Sequence, residues 1–177
     1  MTIPWRVLRD GALCFALLLL AASKPVAAEL TPAQKESLPP EVRRASSREG
    51  FDKTYALSSQ LNPFFIQGDF NGDGKLDTAV LVKATASGKT GIAVFHAGAE
   101  RAVLIGAGAQ IPGAQGASDV DWMDAWYAHR KGPLRQGVTK GKPPVLRGDA
   151  LHVAKTEAAS ALIYWDGSKY QWYQQGD

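Results

Sequence analysis

Apolar residues fall in short, separated runs over the middle of the chain. Phe64, Ile66 and Phe70 mark 63–70, Thr78-Ala79-Val80-Leu81-Val82-Lys83-Ala84 is nearly continuous, and Gly91–His96 and Ala102–Ile105 follow. Short runs rich in β-branched and aromatic residues predict strands. Glycine-bearing turns at Ser87-Gly88-Lys89 and Ala97-Gly98 separate them. Spacing this tight leaves no room for helical crossovers, so the strands should pair antiparallel. A second group follows at Leu151–Lys155, Ala161–Trp165 and Lys169–Tyr173. Asp166-Gly167 between the last two runs predicts a two-residue type I′ hairpin, which would set Ile163 opposite Tyr170 and Ala161 opposite Trp172.

Between the groups lies a Gly/Ala/Gln loop over 106–118, then 119–129, whose Trp122 and Trp126 suit either a strand or a short helix. Residues 132–142 read as a basic loop. Upstream, 29–50 is polar and proline-containing. Thr31-Pro32 has the form of an N-cap followed by proline at the first helical position, and 41–47 suits a second short helix. The pattern predicts a mainly β protein: a small, antiparallel, sandwich-like single domain over 51–177. A loosely attached helical lead-in over 29–50 precedes it.

The first residues change the picture of charge and compartment. Arg6 and Arg9, an apolar run from Leu13 to Ala22, and Val26-Ala27-Ala28 before Glu29 form the three parts of a secretory signal peptide over 1–28. The apolar run is too short to span a bilayer comfortably, and Leu13 before Cys14 does not suit lipid attachment. Export to a periplasmic or extracellular space is therefore expected, with no transmembrane span in the mature chain. Removing 28 of 177 residues leaves 149, enough for one domain and an ordinary core. The net charge falls from +3 to +1, because Arg6, Arg9, Lys24 and Asp10 leave with the segment. The apparent basicity is mostly targeting signal and gives no reason to expect nucleic acid as a partner. Cys14, the one cysteine, also leaves, so no disulfide is expected.

Specific chemistry concentrates in Asp69-Phe70-Asn71-Gly72-Asp73-Gly74-Lys75-Leu76-Asp77. Asp69, Asn71 and Asp73 occupy positions 1, 3 and 5 of a curled loop, Gly74 position 6 where the chain must turn sharply, and Asp77 position 9. Position 7, Lys75, would contribute its backbone carbonyl. Hard cations such as Ca²⁺ take six to eight oxygens, and alternate residues of such a loop converge on one point. Position 12 is Val80 rather than the bidentate glutamate of a helix–loop–helix EF-hand, and Thr78–Val82 read as a strand. The segment from Phe65 to Val80 resembles the FG-GAP/VCBS-type repeat, in which this loop links two β-strands. The resemblance implies Ca²⁺ as the bound ion, with Asp69, Asn71, Asp73, Lys75 through its carbonyl, and Asp77 as ligands. It covers about 16 residues, and the loop motif has no second copy. A propeller of several four-stranded blades does not fit 149 residues.

Other chemistry is sparse. His96, His129 and His152 lack zinc-ligand spacing, and Asp119, Asp121 and Asp124 read as a capping or surface turn. Neither Gly-x-Ser-x-Gly nor Ser-x-x-Lys occurs, so no catalytic residue is assigned. Trp122, Trp126, Trp165, Tyr170, Trp172 and Tyr173 suit a core, or, if exposed, a stacking platform. Arg130, Lys131, Arg135, Lys140, Lys142 and Arg147 form either a solvated loop or a contact for anionic envelope polymer or lipid head groups. The sequence thus predicts a non-enzymatic, exported Ca²⁺-binding structural or interaction module. The alternatives are a binder of carbohydrate or envelope polymer, such as an inhibitor of a wall hydrolase, and a hydrolase with structural calcium. The sequence names no partner; a cell-envelope polymer or a protein would suit this reading.

Overall fold

The computed structural model describes residues 29–48 and 50–176. The targeting segment expected over 1–28 lies outside the described residues. Three short helices, α1 (Pro32–Ser37), α2 (Pro40–Ser46) and α3 (Phe51–Thr54), lead into two antiparallel sheets. The first sheet holds β1 (Tyr55–Leu57), β2 (Phe65–Gly68), β3 (Asp77–Ala84), β4 (Thr90–Phe95) and β5 (Val103–Gly106). Its order is β1-β3-β4-β5, and β2 shares with β1 the free edge of β3. The second sheet is the meander β6 (Ala125–His129), β7 (Ala150–Lys155), β8 (Ala159–Trp165) and β9 (Tyr170–Gly176). The mainly β, antiparallel fold expected from the runs is the fold observed.

The sheets pack through one shared core. Ile66, Ala79, Leu81, Ile92, Val94 and Ile105 of the first sheet meet Trp126, Leu151, Val153, Ala161, Ile163 and Tyr170 of the second. β3 is buried on both faces: Ala79 and Leu81 face the second sheet, while Val80, Val82 and Ala84 face the helices. Double burial is why its sequence is a continuous apolar run rather than an alternating one. The outer face of the second sheet is also covered, with Leu134 and Leu146 of the β6–β7 loop packing on Ala150, Leu162 and Tyr173. From β2 onward the first half follows the plan of the second: a strand, a loop closing on an aspartate, and three further strands. Asp77 opens β3, and Asp149 directly precedes β7.

Two expectations change. The helical lead-in is not loosely attached: Leu30, Leu38 and Val42 are buried against Val80, Val82, Ala93 and Phe95. Full burial of an aliphatic side chain is worth about 1.5–3 kcal/mol, so these three side chains fasten the segment. Thr31 does cap α1, in a capping box with Gln34. The β8–β9 hairpin pairs Trp165 with Tyr170, Ile163 with Trp172 and Ala161 with Gln174, not in the two-residue register. The Asp166 carboxylate accepts hydrogen bonds from the N–H groups of Ser168 and Lys169, and the Asp166 N–H donates to the Lys169 carbonyl. This side-chain capture widens the turn to four residues. Among the described residues, no helix is long and apolar enough to cross a membrane.

Candidate metal loop and its setting

The pairing of Gly68 with Asp77 closes β2 and β3 around the loop 69–76. Its side chains brace its backbone. Asp69 Oδ1 accepts from the Gly72 N–H at 2.8 Å and Oδ2 from the Gly74 N–H at 3.0 Å. Asn71 Oδ1 accepts from the Asp73 N–H at 3.0 Å, and Asp73 Oδ1 from the Lys75 N–H at 2.9 Å. The Asn71 and Asp73 bonds are Asx turns, and the longer-range Asp69 bonds close the curl they begin. Gly72 and Gly74, with φ of +80° and +81°, supply the left-handed residues the curl requires. The Lys75 N–H, followed by the Asn71 side chain, holds the Asp73 carboxyl below the usual carboxylate range.

Asp77 behaves differently. It is fully buried, and its carboxylate accepts from Phe70 N–H at 3.0 Å and Ala97 N–H at 2.9 Å, with His96 Nδ1 also at 3.0 Å. The far side of the His96 ring, Nε2, lies 3.4 Å from the Tyr170 hydroxyl, and the two rings stack at 5.9 Å. Burial, then the charges of Asp77 and Asp69, push the Tyr170 hydroxyl well above its ordinary value. Asp77 therefore pins the loop to the end of β4 and, through His96, to β9.

The loop also meets the second sheet directly. The Asp149 N–H donates to the Asp69 carbonyl at 2.7 Å, and the Asp69 N–H returns a bond to Asp149 Oδ2 at 3.3 Å. Asp149 further accepts from Arg130 Nη1 and the Lys131 N–H, both at 2.9 Å. Sequence reading overlooked Asp149, and its placement one residue before a strand, like that of Asp77 at a strand start, was the available signal.

Of the five expected ligands, Asp69, Asn71, Asp73 and Lys75 lie along one turn, and Asp77 stands at its closing end. Their oxygens, two exposed-loop carboxylates, an amide and a carbonyl beside the buried Asp77 carboxylate, suit a hard cation. Among the described residues, no three His, Cys, Asp or Glu side chains stand together as a ready metal cluster. Ca²⁺ would be held by Asp69, Asn71, Asp73 and the Lys75 carbonyl drawing inward on a backbone already curled for it, with Asp77 at the fixed end.

The remaining candidates are accounted for by packing. Trp126 is buried, and its Nε1 donates to the Pro63 carbonyl at 2.7 Å, so it offers no face to a ligand. Trp122, Trp165 and Trp172 are partly buried against the shared core, and Tyr170 and Tyr173 are buried. Asp124 accepts from Thr156 N–H and Oγ1 and pairs with Lys155 at 3.1 Å, which lowers its carboxyl to about 2, and Asp121 accepts from Thr90. His152 stacks on Tyr127 at 4.3 Å, and burial, then His129, holds its imidazole below the ordinary range. No family model matches the chain, and comparison with curated proteins and with solved structures gives no significant match.

Proposed function

We propose that the protein is a non-enzymatic Ca²⁺-binding structural and interaction module, exported by a signal peptide over residues 1–28. In it Asp69, Asn71, Asp73, the Lys75 carbonyl and Asp77 hold the ion. The observation that carries this reading is the set of side-chain-to-backbone bonds in which positions 1, 3 and 5 already organise the N–H groups of Gly72, Asp73, Gly74 and Lys75. The ion supplies the positive charge that lets the Asp69 and Asp73 carboxylates close on one point. The protein supplies the turn and, through Asp77, Asp149 and the neighbouring N–H donors, a rigid seat between the two sheets. A bound ion would therefore strengthen the joint between the halves rather than a peripheral turn.

Extracellular modules hold Ca²⁺ with dissociation constants of about 10⁻⁴–10⁻³ M. At ten times that concentration the fold gains about 1.4 kcal/mol. Thermal melting with Ca²⁺ and with EDTA should differ by several degrees in the native protein and coincide in Asp73→Ala. Identical native melting curves in Ca²⁺ and in EDTA, from protein first stripped of metal, would remove this reading.

A further inference from the structure

The β6–β7 loop carries Arg130, Lys131, Arg135, Lys140, Lys142 and Arg147, and no acidic residue precedes Asp149. Two of these cations serve the fold. Arg130 pairs with Asp149 at 2.9 Å, and Arg147 Nε donates to the Asp166 carbonyl at 2.9 Å. Lys131, Arg135, Lys140 and Lys142 are exposed and have no acidic partner among the described residues.

The loop is a fixed structure and not a free tether. Leu134 and Leu146 pack on the second sheet, the Gly137 N–H donates to the Tyr173 hydroxyl, and the Thr139 hydroxyl bonds both the carbonyl and the N–H of Gln174. A fixed loop that holds like charges together works against its own repulsion unless an anionic counterpart relieves it. Apolar surface lies beside the charges. Pro133, Pro143, Pro144 and Val145 line a shallow groove of about 550 Å³ together with Lys131 and Lys142. Val145 is 90% exposed and Val138 50%, two of the four large apolar side chains left exposed among the described residues.

We propose that the loop 130–147 docks the protein on an anionic lipid surface. Lys131, Arg135, Lys140 and Lys142 would lie over the head groups, and Val145 would enter the boundary beneath them. The chemistry of the loop favours lipid over an acidic peptide. A peptide bound by strand addition needs backbone donors along the groove, and Pro133, Pro143 and Pro144 have none. The N–H groups of Lys131 and Gly137 are already taken by Asp149 and Tyr173. A lipid surface asks only for clustered positive charge and an exposed aliphatic side chain. The proposal does not rest on the cation reading, because the loop's cations need no metal to act.

Co-sedimentation with phosphatidylglycerol-containing vesicles, in EDTA and at low ionic strength, tests the idea. Pure phosphatidylcholine vesicles serve as the control for charge-independent insertion, and the loop variants serve as the control for any contribution of Arg6 and Arg9. Binding should be strong to the anionic vesicles only and should disappear at high salt. The double variant Lys140→Gln, Lys142→Gln should weaken it about 30-fold, roughly fivefold per cation, and Val145→Asp should weaken it further. Both changes sit on exposed side chains with no polar partner among the described residues, and melting curves matching the native protein confirm that the variants fold. Equal binding to both vesicle types, or undiminished binding by the double variant, overturns the proposal. Binding to labelled polyglutamate without binding to vesicles also overturns it and assigns the loop to an acidic polypeptide.

Discussion

Gly72 and Gly148 mark a place where the backbones of the two halves of the molecule meet. A Cβ at Gly72 would stand 2.6 Å from the Arg147 carbonyl oxygen, and one at Gly148 would stand 2.2 Å from that of Asp69. Gly74 has the same left-handed backbone as Gly72, but its Cβ would meet open space. The two glycines of the loop therefore separate conformational strain from contact. Gly74→Ala should cost about 1 kcal/mol from strain alone, while Gly72→Ala should cost at least about 2 kcal/mol more, because backbone must move. Urea denaturation measures the difference, and equal losses would mean that the halves do not touch there. The sequence showed why this loop needs glycines, since its motif fixes the turn. It did not show the second demand on Gly72, because Arg147 is distant in sequence and no local pattern announces it.

At the scale of elements, the runs of apolar residues located the strands well, and β3 most clearly, because burial on both faces leaves an uninterrupted signal. The lead-in was harder to read. Helices α1 and α2 are polar overall, and what attaches them is three separated side chains, Leu30, Leu38 and Val42, each buried beneath an otherwise solvated surface. Leu38→Ala should cost about 2–5 kcal/mol, the range of a core cavity, as read by chemical denaturation. A loss within about 0.5 kcal/mol, typical of surface substitutions, would return the segment to a detachable arm. The β8–β9 turn shows the limit of dipeptide rules. Asp166-Gly167 suits a two-residue turn, but the Asp166 carboxylate also captures Ser168, Lys169 and Gln171, and those bonds set the register.

At the scale of the whole molecule, what the sequence left unread was assembly. Apart from β1–β3 and β6–β7, the strand pairs are hairpins between neighbouring runs, so the pattern of runs and turns foretold them. Their joining depends on Asp69 and Asp149, which meet across 80 positions, and on a shared core drawn from every strand except β1, β8's outer residues and the far end of β9's ladder aside. The candidate cation loop was legible residue by residue. Its position as a joint between sheets was not, because that position is a property of the packing and of no single segment.

The contact between the loops at Gly72 and Arg147 sets an acidic turn, bearing Asp69 and Asp73, against the most basic stretch of the chain. The contact is through backbone, and charges on adjoining segments influence one another only within a Debye length of about 8–10 Å. A divalent ion that neutralises the first would unmask the second, and an anionic surface that engages the second would raise the first's appetite for cations. Thermodynamic linkage makes this reciprocal: if Ca²⁺ tightens vesicle binding by some factor, vesicles must tighten Ca²⁺ binding by the same factor. Calcium titrations with and without phosphatidylglycerol vesicles should show that shared factor in the native protein and its loss in Asp73→Ala. Two independent affinities, each indifferent to the other ligand, would mean that the loops touch without exchanging charge effects.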